Sequence, residues 1–341
     1  MAGTKNDLEL NTEKCKQGFD GLNFEYQIDN PQYLFKVLPP PRELLNENQK
    51  VIARISCTNE KIGLYVNPVH YIRPTNIYPF DVRYGEELEN LLEEIIRFIQ
   101  CYLDEYLRWM DKSEIIGNLL LKQMECNITL PCVGKAKTSD VIAFMDLAVH
   151  ETLLWRISNS ETDYRKRNSS CSFNKDHAYK VKIYDKTEEQ RVHEGKVIDD
   201  NMLRFEIVFI QRKINAMYGA RKSICDILTV SGLEIACKEY KKVFIEDIRN
   251  TMLIPCLNFC KEQLLDSLIY SDDELPIQLT VLKNKEIIVD IEILRRALKE
   301  WYYSRNMQDN SKQVIYMYRR NTMHFPEDVI KTMKAFKEAL G

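Results

Sequence analysis

Tyr184 stands in the stretch "HAYKVKIYDKTEEQ" (residues 177–190) among Lys180, Lys182 and Lys186. A phenol with an ordinary pKa near ~10 is protonated at neutral pH, and neighbouring ammonium groups favour its ionised, nucleophilic form. Two other short segments carry the groups such a nucleophile would need. "MECNITL" supplies Glu125 and Asn127, and "LRFEIVF" supplies Arg204 and Glu206. The two carboxylates, with Asn127 as a carbonyl oxygen donor, make a hard-oxygen set suited to Mg2+ or Mn2+ against a phosphodiester. Arg204, Lys182 and Lys186 are the candidate clamps for adjacent phosphates. Attack by Tyr184 on phosphorus would leave a phosphotyrosine link and a free sugar hydroxyl.

These groups meet only if three strands share a sheet. Side chains two apart along a strand lie on one face. On that rule Met124, Cys126, Ile128 and Leu130 point one way, and Glu125, Asn127 and Thr129 the other. Val181 and Ile183 oppose Lys180, Lys182, Tyr184 and Lys186; Leu203, Phe205, Ile207 and Phe209 oppose Arg204 and Glu206. One polar face per strand is also what any sheet wet on one side displays, so spacing alone does not decide for chemistry.

The surrounding pattern is mixed. "VIARISCT" and "KIGLYVN" alternate across a short polar turn and predict a hairpin. Residues 85–106 carry apolar side chains at helical spacing with acids near the start. Ser139 is placed to cap a helix over 140–154, a strand is expected at 152–158 and a loop at 159–176. Beyond about 212 the pattern is mainly helical. The division expected is a loose arm over 1–20, a catalytic unit over 21–215 and a mainly helical unit over 216–341, giving an α+β fold: a mainly antiparallel sheet with helices on one face.

The 341 residues are 45% hydrophobic and 29% charged, a globular composition, and the start of the chain lacks a secretory leader pattern. No run approaches ~18 apolar residues. A cytoplasmic protein with no membrane partner is the expectation. Ten scattered cysteines read as reduced core thiols, and Cys256 and Cys260 lack a second pair to complete a zinc site. A formal net charge of −3 restricts nucleic-acid contact to a local patch. Arg165, Lys166, Arg167, Lys175 and Lys180 form one, suited to tracking the phosphates of single-stranded DNA.

The ordered set "MECNITL", "KVKIYDKTEEQ" and "LRFEIVF" resembles the replication initiators of rolling-circle elements: the filamentous phage gene II replication proteins and the related plasmid initiators that nick their own origin. The resemblance spans roughly residues 50–215. It implies that Tyr184 is the nicking nucleophile, that Glu125 and Glu206 bind magnesium or manganese, and that the fold is that of a ferredoxin-like nickase. It also implies origin DNA, single-stranded or as a stem-loop, as substrate, with a host helicase and a second copy of the chain as further partners. Asn127 departs from a pattern in which a second acid often stands there, and the His-hydrophobe-His metal pair of the wider nickase superfamily is missing, His177 standing alone. Tyr164 ranks second as nucleophile, ahead of Tyr302, Tyr303, Tyr316 and Tyr318. The rival reading is a DNA-binding replication or regulatory protein without cleavage.

Overall fold

The computed structural model describes residues 17–28, 38–73, 75–106, 111–151, 156–157, 170–175, 178–195, 201–270, 277–322 and 326–340. Among the described residues nine strands form one antiparallel sheet: β1 (Gly18–Gln27), β2 (Arg42–Leu45), β3 (Val51–Cys57), β4 (Lys61–Val66), β5 (Leu120–Pro131), β6 (Arg156–Ile157), β7 (Ser170–Lys175), β8 (Tyr179–Asp185) and β9 (Met202–Ile210). Their order is β2-β3-β4-β1-β5-β9-β8-β7-β6. The expected hairpin is β3–β4, paired from Ala53↔Val66 to Cys57↔Ile62. The three site-bearing strands are direct neighbours, with Asn127↔Glu206 and Lys182↔Glu206 in register across β9.

The apolar face is where the core lies. Met124, Cys126, Ile128, Val181, Ile183, Phe205, Ile207 and Phe209 are all buried, as their alternation requires. Helices cover them: α4 (Thr138–Glu151), α6 (Gln211–Tyr218), α8 (Val230–Lys242) and α13 (Val329–Ala339). The Phe205 ring meets Phe244 edge-on at 4.9 Å and Phe336 at 6.0 Å, and Tyr240 donates to the Phe205 carbonyl at 2.8 Å. Phe244 belongs to a π-helical segment (Val243–Leu253) that continues into α9 (Ile254–Ile269). Pro255, near the start of α9, has no N–H to give the preceding turn, so the wider winding ends where the proline begins. The late helices thus help to build the same core as the sheet.

At the other end lies α2 (Gly85–Tyr106), which buries Leu88, Leu91, Ile95, Ile99, Tyr102 and Leu103 along one stripe and sets Glu86 and Glu87 at its positive end. Tyr102 donates to the Pro40 carbonyl, and Glu105 pairs with Arg42 of β2. The remaining helices are α1 (Val69–Ile72), α3 (Lys112–Gly117), α5 (Lys186–Glu194), α7 (Ile224–Ile227), α10 (Ile277–Lys283), α11 (Ile291–Ser304) and α12 (Ser311–Asn321). The α+β class, the antiparallel sheet and the helical C-terminal part are as expected from the pattern.

Four local details differ from that expectation. The stretch read as a loop over 159–176 holds strand β7, Ser170–Lys175, paired with β8, while its other residues lie outside the described residues. β1 begins at Gly18, inside the stretch read as an arm, while residues 1–16 lie outside the described residues. α4 begins at Thr138, so Ser139 is already helical. Lys186 is not a strand residue: β8 ends at Asp185, whose side chain accepts from the Glu188 amide at 2.9 Å and caps α5.

The entry into β1 is pinned by backbone. Phe19 and Phe80 exchange hydrogen bonds of 2.9 and 2.8 Å, drawing the segment 75–80 across the sheet end. A Cβ on Gly18 would stand 2.0 Å from the Phe80 carbonyl oxygen, which only backbone movement can relieve. Gly18→Ala is therefore expected to cost about 1–3 kcal/mol, read as a lower midpoint in urea unfolding; an unchanged midpoint would show that this approach is not tight in solution.

Candidate active site

β1 carries a residue that the three-strand reading lacks. Phe19 faces Cys126 and Gly21 faces Glu125, so Asp20 is the extra residue of a β-bulge. A bulge re-aims a side chain that regular alternation would send elsewhere. Asp20 thereby joins Glu125 and Glu206: one oxygen from each lies within 4.8 Å of the others. Gly21 makes room for the cluster, since a Cβ there would stand 2.9 Å from Glu125 Oε2.

Three carboxylates this close need cations or protons. Lys182 supplies part of the charge, its Nζ 2.5 Å from Glu206 Oε1 and 3.7 Å from Glu125 Oε1. Burial opposes the Lys182 charge, yet the two glutamates hold its pKa above the ordinary lysine value. Arg204 supplies more, with Nη1 2.6 Å from Asp20 Oδ2. What remains uncompensated appears as protonation. Burial first, and then the charge of Glu206, push Glu125 up to about 7; burial likewise raises Asp20, with Arg204 opposing.

Tyr184 belongs to this constellation. Its hydroxyl donates to Glu206 Oε2 at 3.1 Å. The ionisation expected from its lysine neighbours is corrected by the geometry: burial drives the phenol well above its ordinary pKa, Arg204 opposes, and Glu206 adds to the rise. Lys182 is engaged by the carboxylates and Lys186 turns away. Among the described residues the phenol's proton has one acceptor in contact, and that acceptor is a member of the triad.

Two expected phosphate clamps are also corrected. Arg204 is fully buried; Nε donates to Thr129 Oγ1 at 3.0 Å, Nη1 to Asp20, and Nη2 to the carbonyls of Asn76 and Ile77, the latter at 2.8 Å. Its role is to position Asp20 and to fasten the segment 75–80 over the sheet. Lys186 is equally buried, 2.7 Å from Glu189 Oε2 and donating to Asn76 Oδ1 at 2.9 Å, with its pKa lowered to about 8 by burial and Arg204. Neither guanidinium nor ammonium is open to a phosphate. Lys182 is the cation of this set that keeps partial exposure, at 34% of its side chain.

Asn127 lies beside the triad, its amide nitrogen 3.2 Å from Asp20 Oδ2. Asp20 Oδ1 and Asn127 Oδ1 are buried and receive no hydrogen bond among the described residues. Buried acceptors without donors are costly unless something electropositive meets them. An all-oxygen set with two such atoms fits a hard divalent cation, with Asp20, Glu125 and Glu206 as the carboxylate ligands. Tyr65 on β4 was also unforeseen: its ring lies over Gly21, and burial together with Asp20 and Glu125 raises its phenol to about 12.

Of the expected DNA contacts, Arg165, Lys166 and Arg167, with Tyr164 and His177, lie outside the described residues, as does the Lys175 side chain. Lys180 is half-buried on the polar face of β8. Tyr302 and Tyr318 are buried in the C-terminal helices, Tyr303 and Tyr316 exposed there. None of the described cysteines forms a disulfide, and no helix among the described residues is long and apolar enough to cross a membrane.

No family model matches the chain, and no curated protein is significantly similar to it in sequence.

The triad sets two expectations. Because the folded pKa of Glu125 lies above its ordinary 4.5, its protonated form supports the fold fully at low pH, and that contribution is lost as pH rises through about 7. Metal-free protein should lose stability across pH 5–8 in urea titrations, and Glu125→Gln should flatten that slope; equal slopes would remove Glu125 from the cluster. Mn2+ at a hundred times its Kd should stabilise the wild type by about 2.7 kcal/mol, and Asn127→Ala should weaken Mn2+ about 10–100-fold by releasing Asp20. A melting temperature indifferent to Mn2+ in the wild type would refute the site.

Proposed function

We propose that the chain is a metal-dependent DNA nicking enzyme of the rolling-circle replication initiator type, acting on its origin through Tyr184. The observation that carries this reading is the hydrogen bond from the Tyr184 hydroxyl to Glu206, a carboxylate of a three-acid cluster in which Asp20 and Glu206 are buried and Glu125 is half-buried. A buried tyrosine holding a surface carboxylate would be unremarkable; one aimed into an oxygen cluster with two acceptors that lack donors among the described residues supports a reading as phosphoryl chemistry.

In this reading Glu206 accepts the phenolic proton as the Tyr184 oxygen bonds to phosphorus. The phosphorus–O3′ bond breaks, the sugar oxygen takes a proton from water, and the 5′ phosphate stays on the tyrosine. Burial makes the free phenolate costly, which couples proton loss to attack. Asp20, Glu125 and Glu206 would hold Mg2+ or Mn2+, which polarises a phosphoryl oxygen and offsets charge on the leaving group. Arg204 and Asn127 orient Asp20. Lys182, exposed on one side, is the group left to meet the incoming phosphate. The bond energy conserved in the phosphotyrosine permits later rejoining. Cytoplasmic location, a host helicase and a second copy as partners belong to the same proposal.

The test uses labelled single-stranded DNA of the parent replicon with Mn2+. The wild type should form a denaturant-stable adduct, and Tyr184→Phe should reduce it to background while DNA binding persists. Binding without an adduct in the wild type would favour the non-cleaving regulator. An undiminished adduct in Tyr184→Phe would move the nucleophile to another tyrosine.

A further inference from the structure

Two helices of the C-terminal part meet along a seam that shares no residue with the triad. On α9, Ile254, Leu257, Asn258 and Lys261 recur at three- and four-residue spacing, and on α11 Ile293, Arg296, Glu300 and Tyr303 do the same. Residues so spaced share one side of a helix, and α9 packs along α11. The seam opens into two hollows that join at Asn258, Lys261 and Arg296. The smaller, about 230 Å³, has Ile254, Leu257, Ile293 and Ile330 as its apolar walls. Ile293 is buried and the other three are only half-buried, so aliphatic surface stands open to a ligand. The larger, about 760 Å³, adds Lys299, Tyr303 and Met307 and has the size of a small-ligand site.

Charge decides what such a seam can take. Lys261, Arg296 and Lys299 bring three cations to the larger hollow, and Glu300 and Asp309 bring two acids. Neither acid closes it. Lys261 Nζ lies 2.8 Å from Glu300 Oε2 and Arg296 Nε 3.1 Å from Glu292 Oε1, but these are exposed pairs, weak enough for a phosphate to replace. Glu292 keeps Arg295 as a partner when Arg296 turns to a ligand. Asp309 accepts from the amide and hydroxyl of Ser311, which hold its carboxyl below the usual range with help from Lys299 and Lys312. An aliphatic slot with an amide at its edge, leading to three flexible cations and an 85% exposed tyrosine ring, complements a flat heterocycle that carries a chain of phosphates.

We propose that the α9–α11 seam binds a nucleoside triphosphate, its base between Leu257, Ile293 and Ile330 with Asn258 at the base edge, and its phosphates on Lys261, Arg296 and Lys299. The sequence has no glycine-rich phosphate loop, so side chains do the holding. The inference goes beyond the nicking reading and does not depend on it. Inorganic polyphosphate shares the charge of this ligand and lacks the ring, which gives the test its two arms.

The experiment is isothermal titration calorimetry of the full-length chain in EDTA, which keeps divalent ions from recruiting phosphate to the triad. The probes are ATP, AMP and tripolyphosphate. ATP should bind saturably and at least about tenfold more tightly than either of the others. Lys261→Gln combined with Arg296→Gln should weaken ATP and tripolyphosphate alike, by about tenfold or more. Leu257→Gln should weaken ATP about fivefold and leave tripolyphosphate unchanged. Lys312→Gln with Arg320→Gln on α12 removes the same charge elsewhere and should cost less than about twofold. Thermal melting follows the folding of each variant, and Lys299→Gln, at an exposed position, carries the charge test if the double variant unfolds. No ATP saturation by about 5 mM would overturn the proposal, as would equal loss in the α12 pair. Tripolyphosphate matching ATP in both wild type and Leu257→Gln would reduce the seam to a phosphate patch and overturn the base slot. A single-stranded oligonucleotide that displaces ATP at concentrations below those at which ATP itself binds would assign the seam to nucleic acid and overturn the nucleotide. Tyr184→Phe should bind ATP as the wild type does. ATP binding without a DNA adduct sinks the nickase reading alone, and an adduct without ATP binding sinks this inference alone.

Discussion

Negative charge gathered on one face of the sheet is the constraint around which the rest of the structure is arranged. Asp20, Glu125 and Glu206 converge with one oxygen of each within 4.8 Å of the others, and at an effective dielectric of about 20 each close like-charge pair costs on the order of 4 kcal/mol. The protein offsets this with Arg204 and Lys182, which share the triad's face of the sheet. Two oxygens, Asp20 Oδ1 and Asn127 Oδ1, are still left without donors among the described residues. A fold optimised for stability alone would place apolar side chains here, because breaking even with a buried ionic network is difficult. Retaining the network fits a site that awaits a cation.

Arg204 shows how support and chemistry divide. A guanidinium in an "LRFE" strand reads naturally as a phosphate ligand, yet all of its nitrogens are occupied by Asp20, Thr129 and the carbonyls of residues 76 and 77. It ties three parts of the chain into one rigid base. Lys186 repeats the pattern with Glu189 and Asn76. The segment carrying Asn76 is therefore structural to the site, although nothing in its own residues suggests chemistry.

Most of the sheet was legible because alternation is a strong signal when one face is apolar: β5, β8 and β9 lie as their periods demand, and their register brings Glu125, Tyr184 and Glu206 together. Asp20 escaped because its strand does not alternate. The inward residues Phe19, Leu22 and Phe24 are spaced three and then two apart, and the odd interval is the bulge itself. That spacing is written in the sequence, so the signal was present. The polarity of the lysine neighbours misled for a different reason: charge in a sequence does not reveal which partner it meets, and here the cations met carboxylates before they could reach the phenol. The extent of the C-terminal contribution to the sheet's core was also hidden, since Phe244 and Phe336 reach Phe205 only through tertiary packing.

The strand order has a consequence for the life of the molecule. β1 lies at the middle of the sheet, but its neighbour β5 and the next strand, β9, come far later in the chain, and the contact between Asp20 and Arg204 closes a loop of 184 residues. Such distant pairings form slowly and late. During synthesis the first acid must wait, without its counter-ion, until the ninth strand has left the ribosome. A prematurely terminated chain would thus carry Asp20 and Glu125 without the Arg204 and Glu206 that complete the cluster.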